Sequence, residues 1–490
     1  MERLLRDGMV YAIAAVFSRG VTFLIVPIYT RLLNPQSYGA LDLILTAGLL
    51  INLVVALEVG QGLAREWAEQ PGAAHGRSLA STAVTFTLFA HLGFLALALL
   101  MSPALTQALL GSTEFLSEFR VGLIFIAANA VFLQLQNQFR WNLRARSYAA
   151  VSILYGVLTL CFGAGLGWIY GLQGIFWGQA LAAAIGCVVS AVLLRGRIGL
   201  TLARPDLLRM LRYSLPLVPS GVAIFASFYV NRWILSMASS LAEVGIFSVG
   251  QRIAGLTLLL IVGLQGALTP LIYRHHREPG VPAQLARIFE VFVGVAMLVC
   301  LLLSAFSRDL IGWVASDEFQ ASAALLPWLA PAALLSQMYI FMPGIAIARK
   351  TLWQLSLTSL SAALAIGLNL WLIPKWGALG AAIASCMTSA VFLLLWCAAS
   401  QRLYALPLRW RALASATAIY IAMVCLVSWG DHLASTINVS VILKLLAIGS
   451  MAVIFNCLGL FQWRELTRLR SEQKFVNSNM HSASRGVRCE

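Results

Sequence analysis

Residues 148–194 read YAAVSILYGVLTLCFGAGLGWIYGLQGIFWGQALAAAIGCVVSAVLL, 47 positions without one Asp, Glu, Lys, Arg or His. A helix crossing the hydrocarbon core of a bilayer needs about 20 apolar residues, so the stretch holds two crossings. It also carries the break they require, at Tyr170-Gly171-Leu172-Gln173-Gly174, where glycine frees the backbone to turn. Helices over 148–169 and 174–194 follow. Outward from there the pattern repeats along the chain, with apolar runs near 9–33, 41–60, 79–101, 120–140, 213–237, 245–268, 287–306, 322–347, 353–373, 378–400, 411–430 and 439–461. Asn34-Pro35, Pro71-Gly72, Ser102-Pro103, Glu278-Pro279-Gly280 and Pro374 punctuate them. The whole chain is 60% apolar and 11% charged, with mean hydropathy +0.84. A soluble domain carries about 25% charge, and the 34 basic and 19 acidic residues here are too few to cover a water-soluble surface. The fold class is an all-α polytopic membrane protein with about 14 transmembrane helices.

Basic residues set the orientation. With the N-terminus inside, 26 of the 34 fall in inner segments and 5 at outer ends (Arg31, Arg120, Arg308, Lys375, Lys444), leaving Arg19, Arg232 and Arg252 within spans. The reading is a multi-pass protein with both termini cytoplasmic, whose net charge of +15 reports topology. No nucleic-acid partner is needed to explain it. Arg3 and Arg6 before an apolar run resemble a signal peptide. That run reaches Leu33, contains Arg19 and lacks a small-x-small cleavage site, so it reads as a retained first span. The eight cysteines show no CxxC and no metal or disulfide spacing. Seven of them fall in apolar stretches and read as small hydrophobic filler.

A shift of 206 residues places Gly39 on Gly245, Gly60 on Gly266, Gly171 on Gly377, Gly174 on Gly380 and Arg144 on Lys350. Spans 1–6 and 7–12 therefore read as two parallel six-helix repeats with two C-terminal helices added, a recurring transporter plan. The expected division is 1–206, 207–402, 403–463 for the last two spans, and a polar cytoplasmic tail over 464–490. A short amphipathic piece over 463–475 is expected to lie along the membrane surface.

Polar residues inside spans are costly unless they face a cavity or find partners. Arg19 lies ten residues into the first run, about 15 Å at 1.5 Å per residue, with Asn52 at similar depth in the second. Arg252 and Arg232 lie nearer the outer ends of spans 8 and 7. Asp42 and Glu243 sit near outer ends and Glu58 and Glu290 near inner ends, so no acid is expected at the arginines' depth. A cluster of uncompensated cations implies water or an anionic ligand, and arginine's fork suits phosphate. Arg19, Arg232, Arg252 and Asn52 are the candidates for a cationic lumen. The alternative is that the arginines hold carbonyls or helix ends, and for Arg232 snorkelling to the interface serves as well. Gln134 and Gln138 share a helix face and, with Glu58 and Glu290, are candidates for an inner vestibule or for a polar helix terminus. Trp141, Trp168, Trp177, Trp313 and Trp376 sit at span ends, where aromatic belts collect. The chain shows no HExxH and no GxSxG. Gly344-Ile345-Ala346-Ile347-Ala348-Arg349-Lys350-Thr351 has P-loop spacing, but Arg349 stands where a glycine must let amides wrap phosphate. Short outer loops argue against an enzyme of glycan assembly; no cofactor and no metal are expected.

Three stretches carry a family resemblance. They are Val26-Pro27-Ile28-Tyr29-Thr30-Arg31-Leu32-Leu33-Asn34-Pro35-Gln36-Ser37-Tyr38-Gly39, then Tyr213-Ser214-Leu215-Pro216 through Asn231-Arg232 to Glu243-Val244-Gly245-Ile246-Phe247, and Ile373-Pro374-Lys375-Trp376-Gly377-Ala378-Leu379-Gly380. The chain resembles the polysaccharide transport (Wzx-type flippase) family of the multidrug/oligosaccharidyl-lipid/polysaccharide exporter superfamily. That resemblance implies a flippase carrying undecaprenyl-pyrophosphate-linked oligosaccharide units across a bacterial cytoplasmic (inner) membrane for lipopolysaccharide or exopolysaccharide biosynthesis, by alternating access without ATP. The expected partners are the lipid-linked oligosaccharide, membrane lipid, a coupling ion (H+ or Na+) and glycan polymerase machinery. Fourteen spans are similar to the lipid II flippase branch, where the last two help to form a lipid groove. A multidrug/cation antiporter or a lipid II-type flippase is the alternative function. A major-facilitator transporter would carry D-R-x-G-R after span 2, and residues 60–77 do not.

Overall fold

The computed structural model describes residues 20–461 except position 22, residues 70–72, most positions between 262 and 279, position 349 and residues 434–436. Arg19 and the tail with its amphipathic piece lie outside the described residues. Among the described residues the chain is helical with no strands, as its composition requires. Helix α1 (Phe23–Leu32) ends where Asn34 caps α2 (Pro35–Val55), its side chain accepting from the Ser37 amide at 2.9 Å. Pro35 occupies the first helical turn, where a missing N–H costs nothing. At the far end Leu57 and Glu58 adopt φ of 50° and 52°, a left-handed break that uncouples α2 from the amphipathic α3 (Val59–Glu69). Then come α4 (Ala73–Leu100), α5 (Ser102–Leu110), α6 (Leu116–Trp141), α7 (Ala145–Leu193), α8 (Arg204–Ser214), α9 (Leu217–Ala238) and α10 (Leu241–Ala254). The last third holds α11 (Val281–Ala305), α12 (Ser307–Val314), α13 (Leu326–Leu335), α14 (Gly344–Ile347), α15 (Thr351–Leu403), α16 (Trp410–Leu433) and α17 (Ile437–Cys457).

Among the described residues ten helices are long and apolar enough to cross a membrane, and Phe23–Leu32 and Val441–Cys457 are shorter apolar ones. Two of the ten, α7 and α15, each hold two of the expected crossings. The expected loops between those crossings shrink to a single reversal, at Gly171 (φ 57°, ψ −137°) and at Gly377 (φ 54°, ψ −132°). Only glycine adopts that conformation without strain. The arms then pack backbone to backbone: a Cβ on Gly174 would stand 2.0 Å from the Leu166 carbonyl oxygen, and one on Gly380 2.4 Å from that of Leu372. All four positions obey the 206-residue shift. So do Arg144 and Lys350, which precede α7 and α15 with φ/ψ of −99°/65° and −87°/68°.

The run over 322–347 departs from expectation. Instead of one helix it forms a 3-10 segment (Asp317–Leu325), α13, a second 3-10 turn (Met338–Phe341) and the single turn α14. Pro327 starts α13, Pro331 interrupts its ladder and Pro343 forces Met342 out of helical conformation (φ −113°, ψ 75°). Trp168, Trp313 and Trp376 are exposed at their span ends, as interfacial aromatics are.

Candidate functional site

Where α2 and α10 begin, their backbones touch. A Cβ on Gly39 would meet the Leu241 carbonyl oxygen at 1.9 Å, and one on Gly245 would meet that of Pro35 at 2.1 Å. The contact is reciprocal, each glycine facing the residue one repeat away from the other's own partner. Seven residues into α2, about 11 Å along its axis, Asp42 reaches Ser248 of α10, its own counterpart at the 206-residue shift; Ser248 Oγ donates to Asp42 Oδ2 at 2.6 Å. From α9, Arg232 Nε donates to the same oxygen at 2.6 Å and its Nη2 to Gln251 Oε1 at 2.6 Å. Arg252 Nη2 donates to Asp42 Oδ1 at 3.2 Å. Aromatic faces complete the enclosure: Arg232 lies 5.1 Å from the Tyr229 ring and 5.9 Å from that of Phe247, and Arg252 lies 5.3 Å from that of Tyr38. Arg232 Nη1 is buried with no hydrogen-bond partner. The Arg232 side chain is 9% exposed and that of Arg252 20%.

This corrects the expectation that no acid shares the arginines' depth. Distance from the end of a run misjudged it, because α10 begins at Leu241 and α9 continues to Ala238. Arg232 is then about 9 Å from the end of its helix and Arg252 about 16 Å from the start of its own, and long side chains close the rest. Arg232 is held by Asp42 and does not snorkel. Two guanidiniums share one carboxylate, so the cluster keeps one surplus positive charge.

The remaining candidates do not join it. Asn52 lies ten residues beyond Asp42 on α2, about 15 Å away along the axis, and its expected neighbour Arg19 is outside the described residues. Gln134 and Gln138 share a face as their spacing predicts, and both are buried. Gln138 Nε2 turns back to the Gln134 carbonyl at 3.1 Å, while Gln136 donates to Ser152 Oγ at 2.8 Å. Gln134 lies beside Gly60, two residues after Glu58. Partial burial in the α2–α3 break raises the Glu58 carboxyl above the usual glutamate range. Glu290 is held by arginines near the start of α16. It accepts from the Arg409 amide (3.0 Å), from Arg409 Nε (2.9 Å) and from Arg287 Nη1 (3.3 Å), and both arginines also donate to the Gly459 carbonyl, at 3.0 and 2.7 Å. That cluster clamps the start of α16 and the end of α17 to α11.

A cavity of about 1560 Å³ opens between α11, the 3-10 segment, α13, α15 and α16. Its wall is apolar, and Cys300, Cys386, Cys397 and Cys425 all line it. No spacing in the sequence indicates that these four cysteines converge on one groove. Asp42 was the other omission, and the 206-residue shift that pairs it with Ser248 was the available signal.

The fold is that of known transporters. The chain is similar to the lipid II flippase MurJ in an inward closed conformation (TM-score 0.73, 13% identity, covering 94% of this chain and 100% of that one). It is also similar to an inward-facing multidrug resistance MATE family transporter of the MOP superfamily (0.61, 18%, 79% and 95%) and to a MOP superfamily transporter from Pyrococcus furiosus (0.55, 18%, 82% and 96%). No curated protein matches the chain significantly in sequence. The family model described as polysaccharide biosynthesis protein matches residues 4–276, more than half of the 490. A polytopic helical chain that matches this model over residues 4–276 belongs to the polysaccharide biosynthesis protein family.

Proposed function

We propose that the chain is a flippase that carries undecaprenyl-pyrophosphate-linked oligosaccharide across the bacterial inner membrane by alternating access without ATP, with both termini cytoplasmic. The observation that carries this reading is the surplus positive charge at Arg232 and Arg252. It lies between helices on either side of the repeat boundary, and Arg252 is the more exposed of the two. A pyrophosphate brings the second anion the cluster lacks, first at Arg252 and then at the unpartnered Nη1 of Arg232. Until it arrives, Asp42 keeps the guanidiniums from standing buried and unpaired. The backbone contact at Gly39 and Gly245 closes the end where α2 and α10 begin, so substrate enters from the opposite, cytoplasmic end. The apolar groove beside α16 takes the polyprenyl tail, so that sugars cross through the lumen and hydrocarbon stays in hydrocarbon.

An antiporter for cationic drugs needs a buried carboxylate free to receive its cargo. Asp42 already accepts from two arginines and a serine, which disfavours that alternative. H+ or Na+ coupling and contact with glycan polymerase machinery belong to the same proposal. Export of the cell's lipid-linked glycan tests it: Arg252→Ala should fall at least tenfold at unchanged membrane abundance, with Arg252→Lys between it and the parent. Parental export from both Arg252→Ala and Arg232→Ala ends the reading.

A further inference from the structure

The groove is electrically asymmetric along its length. It follows α16 from Trp410 to Trp429, 19 residues or about 28 Å, close to the roughly 30 Å hydrocarbon thickness. Its volume of about 1560 Å³ exceeds the roughly 300–1,000 Å³ of ordinary small-molecule pockets. At the end where α11 and α16 begin, Arg287 and Arg409 meet Glu290 and the Gly459 carbonyl outside the groove's lining. Where they finish, Arg308 lines the mouth together with Ser307, Gln320 and Trp429. Among the described residues no carboxylate pairs with Arg308. Its neighbour Asp309 lies 3.6 Å from Lys444 Nζ, so that acid's charge is already answered. A cation at the rim of a long apolar slot suits a phosphate attached to a long hydrocarbon chain.

We propose that Arg308 forms a second phosphate site, distinct from the Arg232–Arg252 cluster, which holds a polyprenyl phosphate with its head at the α11 C-terminal mouth and its chain down the groove. This rests on the flippase reading, under which the mouth faces the outer leaflet and the phosphate-bearing polyprenyl end shared with the substrate is the part recognised. One continuous slot fits a single long chain, so the occupant is a polyprenyl phosphate and not a two-chain phospholipid.

Native thiols report occupancy in the purified full-length chain. Cys425 is exposed and lines the groove, while Cys161 is exposed elsewhere and serves as control. Undecaprenyl phosphate should slow N-ethylmaleimide labelling of Cys425, read by mass spectrometry, at least fivefold and leave Cys161 unchanged. Arg308→Gln should raise the half-protecting concentration about tenfold and Arg308→Lys less than threefold. Undecaprenol, which lacks the phosphate, should protect parent and Arg308→Gln alike, and this shows that the variant's groove is intact; inorganic phosphate should protect neither. Equal protection of parent and Arg308→Gln by undecaprenyl phosphate overturns the proposal, as does phosphatidylglycerol protecting as well as undecaprenyl phosphate. The two readings fail separately. Parental export from both Arg252→Ala and Arg232→Ala sinks the flippase assignment while Arg308-dependent protection stands, and the reverse pattern removes the Arg308 site alone.

Discussion

At Asp42 one carboxylate accepts from Arg232, Arg252 and Ser248, and the pair with Arg232 is closed to water on both sides. Removing one member of such a pair strands the other and costs about 3–5 kcal/mol, whereas removing both together is close to neutral. Asp42→Asn should therefore lower the melting temperature of the purified protein, read by tryptophan fluorescence. The double variant Asp42→Asn with Arg232→Gln should recover most of that loss while export stays down. A single variant that melts like the parent would show that the pair adds nothing to the fold. Glu290 is read differently from the same inventory of acids, because both of its arginines also bind a helix-end carbonyl and so tie three helices together.

Among the elements, α7 and α15 make the same reversal for the same reason. Gly171 has open space where a Cβ would go, so its substitution isolates the backbone cost of φ 57°; a residue held in such a region loses about 1–3 kcal/mol. Gly377 adds a contact, since a Cβ there would lie 2.8 Å from Glu243 Oε2, the oxygen that accepts from the Ala378 amide at 2.7 Å. Gly171→Ala and Gly377→Ala should both lower the melting temperature, the second by more. Gly93→Ala, inside α4 with nothing within 4 Å, should be neutral or slightly stabilising through helix propensity. Equal melting of all three variants would remove conformational strain as the explanation. The proline-broken segment over 317–347 belongs to this scale too: three prolines spread across one apolar run convert a crossing into a kinked wall, and that wall forms one side of the groove.

For the molecule as a whole, the side on which each loop emerges decides which side of the membrane the Gly39–Gly245 contact faces. Fusions of alkaline phosphatase and a cytoplasmically fluorescent reporter at residues 110 and 200 should read outside and inside. The opposite signals would turn the sealed Gly39–Gly245 end toward the cytoplasm and reverse the proposed direction of entry. Leu200 is exposed in the loop ahead of α8, and Leu110 is the buried last residue of α5, where left-handed Gly111 leads the chain out of the helix.

The linear chain determined where the helices are, that two of them reverse at matching glycines, and which basic residues are too deep to be ordinary surface charge. Each of those is a local property: hydropathy is summed over neighbouring residues, and a backbone conformation that only glycine tolerates announces itself one residue at a time. Tertiary structure alone decided that Arg232 and Arg252 share Asp42, that Glu290 is a clamp, and that four cysteines and Arg308 border one groove. Asp42 and Arg232 are 190 residues apart, and their meeting depends on how α2, α9 and α10 rotate and slide when glycine faces let their backbones approach. Ion pairs and cavities arise from those rotations, to which the hydropathy of a single helix is blind.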